Sequence, residues 1–352
     1  MPVSVGDITF YAGPHDVGGP DNLEQVVVDF IDGAEKRLEI AVQELDNLLI
    51  PEAIIRARQR KVLVKLVVEQ DYLRAAKAKR DPWEPLGRQE PNRAVFSAIL
   101  RTNIDVKTDY NTSIFHQKFI VRDRTAVLTG STNFTATGTH TNLNHIIVIH
   151  DKRIASVYAR EFREIQRGHF GKYNEGHDSI PEDSVVSDVP VRILFAPDHN
   201  PELEIMKQTM KARSRIDFAI FTFAQSSGID DTMIRLRDLD MPIHGAFDGR
   251  QGAQDWAAIP ALRDAGCNLW AVPKRRGVGK LHHKLMVLDD QVVIAGSFNY
   301  TGPANRLNDE IIIILGDLDT RFGVQRAAQG RVADFARKEI DRIIVEHSDA
   351  IR

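Results

Sequence analysis

Cysteine is nearly missing from this 352-residue chain. Cys267 stands alone, so no intrachain disulfide forms and multi-cysteine zinc sites are ruled out. Such usage fits a reducing compartment, and a cytoplasmic location is expected. Cys267 itself reads as a small buried residue near a strand start. Long apolar runs are also missing, and none approaches the roughly 18–20 residues of a membrane span. The opening residues, MPVSVGDITF, have neither a basic stretch nor an apolar one, so no signal peptide is expected. There is little excess of charge: the net value is −3, and no global field announces a polyanionic partner. Neither a P-loop nor a GxGxxG in a strand–helix setting occurs, and no cofactor is expected.

What remains is ordinary globular composition, 43% apolar and 27% charged, long enough for two domains or one duplicated one. The duplication is visible. FHQKFIVRDRTAVLTGSTN around Phe115 aligns without a gap to LHHKLMVLDDQVVIAGSFN around Leu281. ITFYAGP (8–14) resembles RILFAPD (192–198), and RLEIAVQEL (37–45) resembles RIDFAIFTF (215–223). Each half is a β/α unit. Between them runs NEGHDSIPEDSVVSDVP (174–190), acidic and free of Lys and Arg. The expected organisation is a first half at 1–173, an acidic linker at 174–190 and a second half at 191–352. Helices are predicted near 21–34, 50–60, 91–101, 152–167, 200–213, 253–265 and 324–346. Strands are predicted near 37–43, 61–68, 116–122, 126–130, 215–223, 282–288, 292–296 and 310–315. Their alternation argues a sheet covered by helices.

Each copy spells H-x-K-x4-D-x6-G-S-x-N: His116, Lys118, Asp123, Gly130, Ser131 and Asn133, then His282, Lys284, Asp289, Gly296, Ser297 and Asn299. Residues i and i+2 of a strand share a face, which puts each His beside its Lys. RDRT and LDDQ read as tight turns, making Asp123 and Asp289 structural. The following strand brings Ser131 with Asn133, and Ser297 with Asn299, beside the pair. Gly130 and Gly296 would allow the close backbone approach of a phosphate site. Lysine supplies a point charge for phosphate oxygens and asparagine an uncharged donor. Histidine serves as nucleophile or proton donor near neutral pH. A lone strand histidine is usually structural, and His283, which faces Gln117 in the other copy, keeps that reading. The recurrent His–Lys pairs do not.

These two motifs resemble those of the phospholipase D superfamily, the HKD enzymes, and the resemblance covers nearly the whole chain. It implies an α/β fold, a duplicated α/β/α sandwich forming a pseudo-dimer, with mixed sheets flanked by helices. It implies a covalent phosphohistidine intermediate and no metal. Carried over, His116 and His282 are nucleophile and acid/base, while Lys118, Lys284, Asn133 and Asn299 hold phosphoryl oxygens. Many members follow the motif with N-x-E. The second copy has Asn308-Asp309-Glu310, and the first has Asn142-Leu143-Asn144. Glu310 is therefore expected to hold His282 and raise its pKa as the acid, and Asn144 to back a neutral nucleophile, His116.

The superfamily motif is poorly specific for substrate. The segment AVPKRRGVGKLHHK (271–284) places Lys274, Arg275, Arg276 and Lys280 directly before the second motif. Such a loop could grip neighbouring phosphates. A second basic cluster comprises Arg74, Lys77, Lys79 and Arg80, followed by Trp83. The favoured expectation is a metal-independent nuclease cleaving DNA or RNA, with nucleic acid as partner and a protein partner that delivers it. The alternatives are a phospholipase D or phosphatidyltransferase, which would favour an apolar interfacial element that the sequence lacks, and a non-catalytic nucleic-acid-binding scaffold.

Overall fold

The computed structural model describes residues 1–74, 81, 83–85, 87, 89–174, 178–275 and 277–351. The first half builds one sheet. Its strands are β1 (Val3–Val5), β2 (Ile8–Gly13), β3 (Arg37–Val42), β4 (Leu63–Val68), β5 (Asp105–Thr108), β6 (Lys118–Arg122), β7 (Ala126–Gly130) and β8 (Asn142–Ile149). They lie in the order β1-β2-β8-β7-β6-β3-β4-β5, with β3, β4 and β5 parallel and the other pairs antiparallel. The second half repeats the plan with β9 (Ser184–Val186), β10 (Val189–Ala196), β11 (Ile216–Ile220), β12 (Ile243–Asp248), β13 (Asn268–Val272), β14 (Lys280–Leu281), β15 (Lys284–Leu288), β16 (Val292–Gly296), β17 (Glu310–Leu315) and β18 (Asp349–Ala350). Its sheet runs β18-β13-β12-β11-β15-β16-β17-β10-β9. Within the stretch expected to link the halves, β9 pairs with β10 at the edge of this sheet.

The helices are α1 (Leu23–Asp32), α2 (Leu49–Gln59), α3 (Glu90–Leu100), α4 (Ala136–His140), α5 (Lys152–Arg167), α6 (Pro201–Met210), α7 (Ile229–Arg237), α8 (Ile259–Asp264), α9 (Gly302–Arg306) and α10 (Gly323–His347). Helix α5 shows why they form. The Asp151 side chain caps the first turn by accepting the Arg153 and Ile154 N–H groups, and Gly168 ends the helix in a left-handed conformation. Its apolar residues, Ile154, Ala155, Tyr158, Ala159, Phe162 and Ile165, recur at three- and four-residue spacing on one buried face.

That face enters the central core. Residues of both sheets pack there with α5 and α10, through side chains such as Phe10, Phe119, Phe195, Val332 and Ile340. A second core joins α1, α2 and α3 to the outer face of the first sheet, and a third joins α6, α7 and α8 to the second. The two α/β/α halves thus share one inner helical layer. No helix among the described residues is long and apolar enough to cross a membrane.

Several elements depart from the sequence reading, which has no strand at β2, β5, β10, β12 or β13 and no helix at α4, α7 or α9. No strand was expected at Asn142–Ile149, yet all eight residues of β8 are buried. Cover on both faces removes the alternation that would mark a strand. The helix expected over 253–265 forms only at Ile259–Asp264, where Pro260 takes a first-turn position.

Candidate active site

Each motif folds as a hairpin. The β6–β7 turn places Asp123 and Arg124 at φ 52° and 56°, and the β15–β16 turn places Asp289 and Asp290 at 53° and 52°. Both central residues of each turn lie in the left-handed region that aspartate tolerates. The Asp123 carboxylate accepts the N–H groups of Glu35, Lys36 and Arg37, and Asp289 those of Arg213, Ser214 and Arg215. Both aspartates fix the entrance to a neighbouring strand, β3 or β11, as expected of turn residues. Those amides and the nearby Arg122 hold the Asp123 carboxyl below the usual carboxylate range, although burial opposes them.

Gly130 and Gly296 serve a purpose other than the expected phosphate approach. Their φ values are 150° and 139°, and a Cβ would collide with the carbonyl oxygens of His145 and Ile311 on the adjoining strands. This tight approach lets the next side chain, Ser131 or Ser297, reach across. Ser131 Oγ donates to Asn144 Oδ1 at 2.8 Å, and Ser297 Oγ to Glu310 Oε2 at 2.6 Å.

The halves then exchange partners. His116 Nδ1 meets Glu310 Oε2 at 2.8 Å, and His282 Nδ1 meets Asn144 Oδ1 at 2.9 Å. This reverses the expected pairing of Glu310 with His282 and of Asn144 with His116. The cause is backbone crossing. The segment before each histidine pairs with the other half: β14 runs parallel to the start of β8, and Phe115 bridges Asp309. His116 N–H donates to Asp309 O, and His282 N–H to Leu143 O. Asn144 Nδ2 donates to the Gly138 and Asn142 carbonyls, so its oxygen faces His282. Both imidazoles therefore carry their proton on Nδ1, and neither uses Nε2 in these bonds. The rings lie 6.5 Å apart, centroid to centroid, with the histidines 7% and 3% exposed.

Burial sets the electrostatics. It drives His116 well below the ordinary imidazole range, helped by the Lys118 ammonium, and His282 likewise, helped by Lys284. It pushes Lys118 down to about 7 and Lys284 well below its usual range, while Glu310 rises to about 8 against the pull of Lys118. Every charged form here is disfavoured for want of solvent, and an arriving phosphate anion would stabilise each cation. Each lysine ammonium donates to the carbonyl of its own histidine. Beyond that the supports differ. Gln43 Oε1 accepts from Lys118 Nζ at 3.3 Å. Phe221 lies 4.9 Å beneath Lys284 Nζ and 5.1 Å beneath Lys280 Nζ, with its ring centroid 4.9 Å from that of His282. Gln43 and Phe221 were missed in the sequence, although RLEIAVQEL aligned with RIDFAIFTF sets them opposite each other.

The remaining expected residues divide. Asn133 and Asn299 follow their serines, and each has a buried Oδ1 with no hydrogen-bond partner among the described residues. Lys274 and Lys280 line a cleft of about 400 Å³ that reaches Phe221. Arg275 turns away to an ion pair with Asp349, and Arg276 lies outside the described residues. Of the second basic cluster, Arg74 bonds Gln70, Trp83 is 91% exposed, and Lys77, Lys79 and Arg80 lie outside the described residues. His283 is buried, as its structural reading required. It meets His145 Nδ1 at 3.0 Å and Glu339 Oε1 at 3.3 Å.

A separate group, Asp178, Asp198 and His199, gathers metal-ligand atoms within 4.8 Å of one another. His199 Nδ1 accepts the Phe195 N–H, so Nε2 keeps the proton it gives to Asp178. A cation at Nε2 would require an imidazolate, and this group fits a metal poorly.

The sequence model of the family described as "Cardiolipin synthase, PLD-like domain" matches residues 27–166 and 205–327, one segment in each half. The chain belongs to the phospholipase D superfamily. It is 28% identical over 143 residues to a phospholipase D of Rickettsia felis, covering 41% of this chain and 64% of that protein. It is 28% identical over 132 residues to the mitochondrial cardiolipin hydrolase of Xenopus tropicalis, covering 38% and 55%. The chain thus spans less than two thirds of the length of these relatives. The phosphatidylserine synthase of Haemophilus influenzae superposes with a TM-score of 0.69 at 12% identity, covering 99% of this chain and 89% of that one. That likeness is one of fold.

Proposed function

We propose that this phospholipase D superfamily member is a metal-independent nuclease acting through a phosphohistidine on His116. The observation that carries the mechanism is the exchange of partners. A nucleophilic imidazole becomes cationic when its Nε2 bonds phosphorus, and a carboxylate on Nδ1–H stabilises that cation. A general acid starts cationic and must give its proton away, so a neutral amide suits it better than a carboxylate. Glu310 on His116 and Asn144 on His282 meet both requirements. These roles are the ones expected from the sequence, but the pairing that was to set them is reversed, so the assignment rests instead on the charge that His116 gains when it bonds phosphorus.

In the first step His116 Nε2 attacks phosphorus and the leaving oxygen departs with the bonding pair. That oxygen takes a proton from His282 Nε2, raised to the imidazolium by the anion. In the second step water attacks phosphorus, His282 Nε2 accepts its proton, and the P–N bond returns its electron pair to His116. Lys118 and Lys284 hold the non-bridging oxygens, and Asn133 and Asn299 donate to them.

The nucleic-acid reading rests on the cleft beside His282. Among the described residues its walls carry Lys274, Lys280 and Arg250 with Asp248, threonine, asparagine, glutamine and Phe221, and no leucine, isoleucine or valine side chain. That lining suits a sugar–phosphate chain better than an acyl chain. The test incubates the protein in EDTA with labelled single- and double-stranded DNA, RNA and phospholipid vesicles, beside His116→Ala and His282→Ala. Cleavage of a nucleic acid that persists in EDTA and vanishes in both variants is expected. Headgroup release with every nucleic acid intact would replace this reading with the lipid one.

A further inference from the structure

The two sides of the active site are unequal in a way that bears on substrate size. On the His282 side, Phe221 forms a wall common to the active site and the cleft, touching the His282 ring and lying beneath both Lys284 and Lys280. Lys280 stands two residues before His282, and Lys274 and Arg250 line the same cleft. Among the described residues of the cleft, one carboxylate, Asp248, accompanies these three cations. Its Oδ1 accepts the Arg250 and Gln251 N–H groups at 3.1 Å, and its Oδ2 the Leu281 N–H at 3.2 Å. Burial pushes the Asp248 carboxyl up against the pull of these three amides and Lys280, and three cations beside one carboxylate leave the cleft cationic. Thr137, Thr141 and Asn142 of the first half also line it, so the cleft forms only where the halves meet. On the His116 side, the positions equivalent to Lys280 and Phe221 hold Ile114, half-exposed, and Gln43.

We propose that this cleft is a subsite for a second phosphate, the neighbour of the scissile phosphodiester on its leaving-group side. The inference rests on the nuclease reading above. His282 gives its proton to the leaving oxygen, so the part of the chain bearing that oxygen lies on the His282 side. Its next phosphate then reaches Lys280, Lys274 and Arg250. The enzyme accordingly favours internal linkages of a polymer over an isolated diester. Once the leaving strand vacates the cleft, the same opening admits the water of the second step. Cardiolipin shares the chemistry of two phosphodiesters separated by a few bonds, and the experiment separates the two sources.

The test compares a dinucleotide with one diester, trinucleotides carrying a second phosphate on either side of the scissile bond, trinucleotides with a neutral methylphosphonate there, and cardiolipin vesicles. One trinucleotide is expected to exceed the dinucleotide in kcat/KM by at least about tenfold, the order of one charge-assisted phosphate contact. That advantage should fall below about threefold in the methylphosphonate analogue and in Arg250→Gln/Lys274→Gln. Equal kcat/KM for dinucleotide and both trinucleotides, or an advantage untouched by the double substitution, overturns the subsite and leaves the nuclease standing. Hydrolysis of cardiolipin with every oligonucleotide intact overturns the nuclease reading and the subsite together.

Discussion

The two halves of this molecule repeat one another almost residue for residue at the catalytic motif, and differ in what stands behind it. Each supplies a histidine, a lysine, a serine and an asparagine on a β-hairpin. The first half then contributes Asn144 and Gln43, and the second Glu310, Phe221 and Lys280. Because the strands cross, the amide of the first half serves the histidine of the second and the carboxylate of the second serves the histidine of the first. A duplicated fold gives two equal histidines, whereas an in-line displacement needs two unequal ones. In the proposed mechanism the exchange supplies that inequality with one acid–amide difference, while leaving the hairpins alike.

The largest expected effect breaks the comparison outright. His116→Ala and His282→Ala should each lower turnover of an ordinary phosphodiester by about 10^4-fold. With a bis(p-nitrophenyl) ester, whose leaving group needs no acid, they should part. His282→Ala should release one equivalent of p-nitrophenol in a burst and retain the phosphoryl group on His116, seen by mass spectrometry. His116→Ala should give no burst. A phosphoryl group found on His282 would exchange the two roles.

A smaller effect comes from making the halves alike. Glu310→Gln sets an amide behind both histidines and should slow the burst by about 10^2-fold, because the cationic phosphoimidazole loses its counter-charge. Asn144→Asp sets a carboxylate behind both and should raise the proton affinity of His282, moving the basic limb of the kcat profile up by about one pH unit. If Glu310→Gln leaves the burst rate unchanged, the carboxylate is not supporting the nucleophile.

The lysines give an effect of about tenfold. Lys118 titrates near 7 in the empty site because burial disfavours its ammonium. In the proposed mechanism its charged form is the one that binds phosphate, and it is lost as pH rises through that value. Therefore kcat/KM, which reports the free enzyme, should fall by up to about tenfold per unit above roughly pH 7. The rate at saturation should hold, since bound phosphate keeps the lysine protonated. A flat kcat/KM between pH 6 and 9 would count against this.

Much of the site was legible because the duplication aligns its own parts. The hairpins, their turn aspartates and the facing of His–Lys pairs follow from local spacing, which a strand converts directly into geometry. The partner of each histidine was not legible. Asn144 and Glu310 each follow their own motif in sequence, and same-half pairing is what sequence proximity suggests. Only the pairing of β14 with β8, and of Phe115 with Asp309, sends each across. The glycines were assigned to phosphate for a similar reason: their freedom was recognised, but the strand that crowds them, β8 or β17, carries no mark of which neighbour it meets.

The smallest effect tests where the halves should remain the same. Asp123 and Asp289 each gather three backbone N–H groups at the mouth of a neighbouring strand and touch neither histidine. Asp123→Ala and Asp289→Ala should each lower unfolding free energy by about 1–3 kcal/mol, the cost of stranding partly buried donors. Denaturant titration should find the two losses similar, because β3 and β11 are entered in the same way. kcat should stay within about threefold of the parent, since catalytic inequality is carried at Asn144 and Glu310. A loss of turnover confined to one aspartate, at unchanged stability, would place that carboxylate in the chemistry and move the asymmetry into the hairpins themselves.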